Sequence, residues 1–141
     1  MDSVNFNEIL CPIDFSKLSV HALHYAVKLS EQFKSKLYVI HVIPLVTTFS
    51  RTAYFVDEHT DMKKLCSDEI PKGISYESEI IKNDEVYDGI TEYAKEKEID
   101  LIVMGTHGHS SISRVLLGST TEEVSRKATC PVMLVREIDH S

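Results

Sequence analysis

The chain has 141 residues, of which 43% are hydrophobic and 26% charged, and a formal net charge of −7. That length and apolar share suit a single domain, 1–141, with a real core. An acidic chain without a basic stripe argues against nucleic acid or an anionic membrane as partner, but it leaves room for a small anion held by local donors.

Residues 8–13 form a short apolar run ending at Asp14, which predicts the first strand. Pro12 has no N–H for a ladder, so it belongs near that strand's end. Ser16 is a plausible N-cap. Behind it Leu18, Ala22, Ala26, Leu29 and Phe33 recur at helical spacing, with Leu23 and Val27 widening the stripe, which predicts a helix over 16–33. Residues 36–43 are β-branched and apolar, hence a second strand, stopped by Pro44. Strand, helix and strand at this spacing make a βαβ unit, which implies a parallel pair with a right-handed connection.

The stretch 45–72 reads as a loop followed by a modest helix over 57–69, with Met62, Leu65, Cys66 and Ile70 as a thin apolar face. Residues 74–81 begin with apolar–polar alternation and predict a strand nearer the sheet edge. Asn83 or Asp84 is placed to cap a helix in which Val86, Ile90, Tyr93 and Ala94 share a face, ending near Lys97. A strand over 100–104, a helix over 120–128 and a last strand over 131–135 complete the chain. Such alternation predicts an α/β fold: an open, Rossmann-like sheet of five parallel strands with helices on both faces. In these sheets ligands bind at the carboxyl ends of the strands, where the winding reverses. Asp14, Val42 and Gly105 all sit at such ends.

Cys11, Cys66 and Cys130 are odd in number and far apart, with no Cys-x-x-Cys. That predicts no disulfide framework and a reducing, cytoplasmic compartment. No segment looks like a signal peptide, and no apolar run approaches membrane length.

The richest stretch runs from Leu101 to Val124. Four apolar residues end at Gly105; Gly108 follows after two residues and Gly118 after nine more, with Ser119, Thr120 and Thr121 behind it. Glycine lets backbone N–H groups approach a ligand, through positive φ or through lack of bulk. Consecutive amides and an open helix N-terminus make an anion-binding concavity. Hydroxyls at Ser119, Thr120 and Thr121 add neutral donors, and His107, His109 and Arg114 add possible positive charge. The structural alternative is a plain helix start, because Ser119 with Glu122, or Thr120 with Glu123, spells a capping box. The spacing is neither the Walker A pattern nor the dinucleotide fingerprint.

Taken with Asp14, this loop resembles the universal stress protein family, over nearly the whole chain. The resemblance rests on residues 9–16 (ILCPIDFS), 102–109 (IVMGTHGH), 117–119 (LGS) and 130–135 (CPVMLV). The family's ATP-binding subgroup carries glycine, two residues, glycine, nine residues, glycine, then serine or threonine. Gly105, Gly108, Gly118 and Ser119 match that spacing. The resemblance implies an adenine nucleotide α-hydrolase-like sheet and a homodimer through the last strand, 131–135. It implies ATP, or AMP or ADP, as cofactor, with Mg²⁺ held through the phosphates. Pro12, Ile13 and Asp14 would lie at the adenosine end and the Val42 backbone at the adenine edge. Met104 and Gly105 would flank the ribose. Gly108, His109, Gly118, Ser119, Thr120 and Thr121 would hold the phosphates. The family is similar in role to stress-response regulators or switches rather than efficient enzymes. In one respect the chain departs from it: the segment between Pro44 and Ile74 is short, which implies a more exposed triphosphate.

Other candidates read less specifically. Asp14 is also a good helix N-cap. His107 reads equally as an exposed loop residue. His21 and His24 lie three apart on a helix, but no further zinc ligand is evident. His41 reads as a satisfied core histidine, and Cys130 as a buried small residue with no base beside it. No acid in the glycine loop stands out to orient an attacking water, so hydrolysis is expected to be slow at most. The rival from another class is a dimeric stress adaptor that ignores nucleotide. An enzyme that activates its substrate with ATP would need a glycine-rich loop where this chain has Asp14-Phe15-Ser16.

Overall fold

The computed structural model describes residues 4–45, 58–108 and 117–137. In these, strands and helices alternate: β1 (Glu8–Pro12), α1 (Lys17–Phe33), β2 (Lys36–Pro44), α2 (Glu58–Glu69), β3 (Tyr76–Asn83), α3 (Val86–Glu96), β4 (Leu101–Gly105), α4 (Ser119–Lys127) and β5 (Val132–Val135). The sheet order is β3-β2-β1-β4-β5, and every pairing is parallel. Winding runs outward from β1 through β2 to β3, then restarts at β4 on β1's other side. The reversal lies between β1 and β4, where Ile9 is in register with Leu101.

Strands buried on both faces read as continuous apolar runs, and β1 and β4 are buried along almost their whole length. Odd and even residues then feed two cores. Ile9, Cys11, Leu37, Val39, Leu101 and Val103 pack under α1 and α2, with Leu18, Ala22, Leu23, Met62 and Cys66. Leu10, Ile40, Val42, Ile102 and Met104 pack under α3 and α4, with Ile90, Tyr93 and Val124. β3 is the outer strand beside β2, as expected of a strand near the sheet edge, but its first four residues are all exposed and do not alternate.

One expected cap differs here. The N-cap of α3 is Glu85, which makes no side-chain cap bond; Asn83 instead accepts from the Glu85 amide and donates to Glu92. Its side chain stops short of the helix's own amides because it already bridges to the second turn. All three cysteines are free thiols. Among the described residues no helix is long and apolar enough to cross a membrane.

Candidate functional site

The ends of β1 and β4 and the start of α4 come together at the reversal point. On β1 the chain leaves the sheet at Ile13, whose amide still donates to Ile40 at 2.8 Å. Asp14 follows, half-buried. Its Oδ1 accepts from the Ser16 amide at 3.0 Å and from the Ser16 hydroxyl. This is an Asx turn, with the aspartate bonding the backbone two residues on. Ser16 in turn caps α1, accepting from the Ser19 amide. Asp14 is therefore not the helix cap. Ser16 takes that place and holds the carboxylate, so that Oδ2 lies over Gly108: a Cβ built on Gly108 would stand 2.5 Å from it. Between them Phe15 has φ 65°, a left-handed conformation that costs a bulky residue about 1–3 kcal/mol and persists only where neighbours impose it.

On β4, Gly105 passes under α1, and a Cβ there would meet Leu18 Cγ at 2.8 Å. The Thr106 carbonyl accepts from the Gly118 amide at 2.9 Å, which closes the long glycine loop at its base. A Cβ on Gly118 would lie 3.2 Å from the His107 Cα. His107 is not an exposed loop residue. Its side chain is 12% exposed, with Nδ1 3.3 Å from the Thr106 hydroxyl and Nε2 3.8 Å from Glu137. Among the described glycines only Gly73 has positive φ. Gly105, Gly108 and Gly118 thus serve close approach, not a left-handed backbone.

At the start of α4 the N-cap is Gly118, and no side chain caps the helix. The capping box does not form, because Glu122 and Glu123 turn forward to Arg126 and Lys127. Amides of a helix's first turn have no intrahelical acceptor, and here the helix starts at Gly118, whose own amide is bonded to the Thr106 carbonyl. Ser119 is exposed and Thr120 half-buried. Thr121 is 3% exposed, and its hydroxyl donates to the Gly105 carbonyl at 3.0 Å. That hydroxyl is committed to the fold, which leaves the amide of Thr121 as its donor toward a ligand.

Of the twelve candidate residues, Asp14, Gly105, Gly108, Gly118 and Thr121 are drawn together by these contacts. Ser119 and Thr120 stand at the same rim. Pro12 and Ile13 lead into it. Val42 and Met104 are buried in the core under α3 and α4, at 5% and 6% exposure. His109, like Arg114, lies outside the described residues. Residues without a sequence signal also shape the rim. Ser19 Oγ accepts from the Asp14 amide at 3.3 Å, and Thr106 closes the loop. The spacing Asp-x-Ser at 14–16 was a readable Asx-turn signal.

The described residues hold no group of three His, Cys, Asp or Glu placed to bind a metal ion. His21 and His24 meet edge-on at 6.4 Å, and His24 Nε2 pairs with Glu69 at 2.6 Å. Burial, and then Asp100, push the Cys130 thiol up from its ordinary value, the opposite of an activated nucleophile.

Comparison with known proteins bears on this geometry. The model of the universal stress protein family matches residues 5–136. The chain belongs to that family. The universal stress protein YxiE of Bacillus subtilis is 36% identical over 148 aligned positions, which cover 93% of this chain and 99% of the relative. Among solved structures, MJ0577 of Methanocaldococcus jannaschii superposes with a TM-score of 0.82 at 23% identity, over 96% of this chain and 99% of that one. A family member from Archaeoglobus fulgidus, solved in complex with dAMP, superposes with a TM-score of 0.70 at 20% identity, over 95% of this chain and all of that one. Another was solved in complex with cAMP, with a TM-score of 0.66 at 22% identity, over 94% of this chain and 98% of that one. At these identities the likeness shows a shared fold.

Proposed function

We propose that this universal stress protein binds an adenine nucleotide, ATP foremost, at the strand ends around Asp14, and works as a nucleotide-responsive switch in a stress response. One observation carries the reading. The glycines at 105, 108 and 118 stand where a side chain would strike Leu18, Asp14 or His107, at the point where a wound sheet holds its ligands. Dihedral angles do not require glycine there, but close approach does. The complexes of fold relatives with dAMP and cAMP support an adenine nucleotide.

In this reading the Asp14 carboxylate accepts from the sugar or base, since beside a phosphate it would be repelled. The Val42 backbone meets the adenine edge, with Pro12, Ile13, Met104 and Gly105 lining the nucleoside. The amides from Gly108, His109 and Gly118 to Thr121, with the Ser119 and Thr120 hydroxyls, hold the phosphates. Mg²⁺ would accompany the phosphates, since among the described residues no group of three His, Cys, Asp or Glu is placed to hold a metal ion by itself. The chain offers positioning and charge stabilisation, with hydrolysis slow at most. The whole of 1–141 acts as one domain in the cytoplasm, and its edge strand β5 joins two copies.

The test is the thermal midpoint with and without millimolar MgATP, in the parent and in Gly108→Val. A ligand that prefers the native state raises the midpoint. The expected result is a rise in the parent and none in the variant. No rise in the parent would favour the adaptor that ignores nucleotide.

A further inference from the structure

His41 is a buried titratable side chain that the nucleotide reading leaves unused. It lies in β2 at 8% exposure, one residue before Val42. Its Nδ1 is 2.8 Å from the Ile13 carbonyl oxygen. A carbonyl only accepts, so Nδ1 carries the proton and donates. The ring lies against Phe15, with centroids 4.9 Å apart and planes at 58°. On its far side Nε2 is 3.8 Å from Glu58 Oε1 in the first turn of α2.

A core histidine needs only to satisfy its nitrogens. This one does more, because its contacts fall on residues 13 and 15, on either side of Asp14. Phe15 is held at φ 65°, and such a conformation lasts only under constraint. The Nδ1 donor ties Ile13 to β2, the ring lies against Phe15, and the Asx turn bonds Asp14 to Ser16. One side chain thus joins the end of β2, which offers the Val42 backbone, to the loop that carries Asp14. Among the described residues its polar and ring contacts reach Ile13, Phe15 and Glu58.

We propose that His41 is a positioning residue for the nucleoside half of the ligand. It fixes the backbone of residues 13–15, so that the Asp14 carboxylate meets the sugar or base at a set distance from the Val42 backbone. This rests on the adenine-nucleotide reading above and adds a residue and a division of labour to it. Ile13–Phe15 and β2 set the nucleoside end through His41, and the glycine loop sets the phosphate end without it.

Two variants separate the donor from the ring. His41→Phe keeps a ring against Phe15 and loses the donor. His41→Asn places an amide N–H near Nδ1 and loses the ring; should the phenylalanine variant not fold, His41→Leu replaces it. Calorimetric titration with MgATP and with AMP is expected to show roughly tenfold weaker binding of both by His41→Phe, the loss of about one hydrogen bond's worth of order. His41→Asn should stay within about threefold of the parent. Amide exchange in the ligand-free chain supplies a readout that general loosening cannot imitate. The Ser16 amide, bonded to Asp14, should exchange about tenfold faster in His41→Phe, while the Gly118 amide, bonded to Thr106, should not change. Equal binding by parent and His41→Phe overturns the proposal. So does equal acceleration at Ser16 and Gly118, or an asparagine variant as weak as the phenylalanine one. A parent that binds neither ATP nor AMP refutes the nucleotide reading itself, which the other outcomes leave standing.

Discussion

Thr121→Val tests the joint between α4 and β4. Threonine and valine have the same shape, so the substitution opens no cavity; it trades the hydroxyl for a methyl. Thr121 is 3% exposed, and its hydroxyl donates to the Gly105 carbonyl at 3.0 Å. A neutral hydrogen bond contributes about 1 kcal/mol net, and a buried acceptor left without its donor costs about 1–3 kcal/mol. Unfolding entropy of about 2.1 cal/mol/K per residue gives this chain roughly 0.3 kcal/mol/K at the midpoint. The expected fall in melting temperature is then about 3–10 °C. Circular dichroism against temperature reads it, and a urea titration should show a lower midpoint with an unchanged slope. Ser119→Ala and Thr120→Val should do the reverse, leaving the melting temperature alone and weakening MgATP. If Thr121→Val melts within about 1 °C of the parent, the hydroxyl does not secure the joint, and its assignment to the fold rather than to phosphate is wrong.

Three further outcomes follow from the same contacts. Ser16→Ala removes the cap of α1 and should cost about 1 kcal/mol in urea denaturation; it should also weaken nucleotide binding by releasing Asp14 Oδ1. Gly105→Ala drives a Cβ into Leu18 and should cost about 1–3 kcal/mol by overpacking, while Leu18→Val in the same chain should recover part of it, as a double-mutant cycle will show. Burial, and then Cys66, push the Cys11 thiol up, so the folded chain keeps its proton while the unfolded thiol ionises above about pH 8.5. That contribution to stability is whole below pH 8.5 and shrinks as pH rises, because the unfolded state then binds fewer protons. The urea midpoint should fall between about pH 8 and 10, and fall less steeply in Cys11→Ala.

The sheet was legible in the sequence because its period was. β1, β2 and β4 are buried on both faces and read as largely apolar runs; β3 lies at the edge, with its first four residues exposed. α1 announced itself through Ala22, Ala26 and Leu29 and through Ser16, which is its cap. The caps of α3 and α4 were not legible. A Ser-x-x-Glu spacing records only that a box is possible, and around α4 the glutamates find Arg126 and Lys127 one turn ahead. Gly118 then takes the cap position. An uncapped helix start beside the Thr106–Gly118 bond is what an anion would need, so the failed cap and the proposed site have one cause.

At the proposed site, the structure changes the physical role of several residues that the sequence singled out. The glycines were readable as glycines; that they avoid Leu18, Asp14 and His107, and not a forbidden φ, needed the third dimension. Thr121 looked like its neighbours Ser119 and Thr120, yet helical spacing turns it inward toward Gly105 while they face the rim. His41 looked like any histidine in a buried strand. Its partners, Ile13 and Phe15, are nearly thirty residues away in sequence, and no local pattern encodes that distance. What encodes it is topology. Once β1 and β2 pair in parallel with Pro12 beside Ile40, the residue after Ile40 must lie beside the residue after Pro12. His41 opposite Ile13 therefore follows from the register, and Asp14 is the next residue that register sets in place.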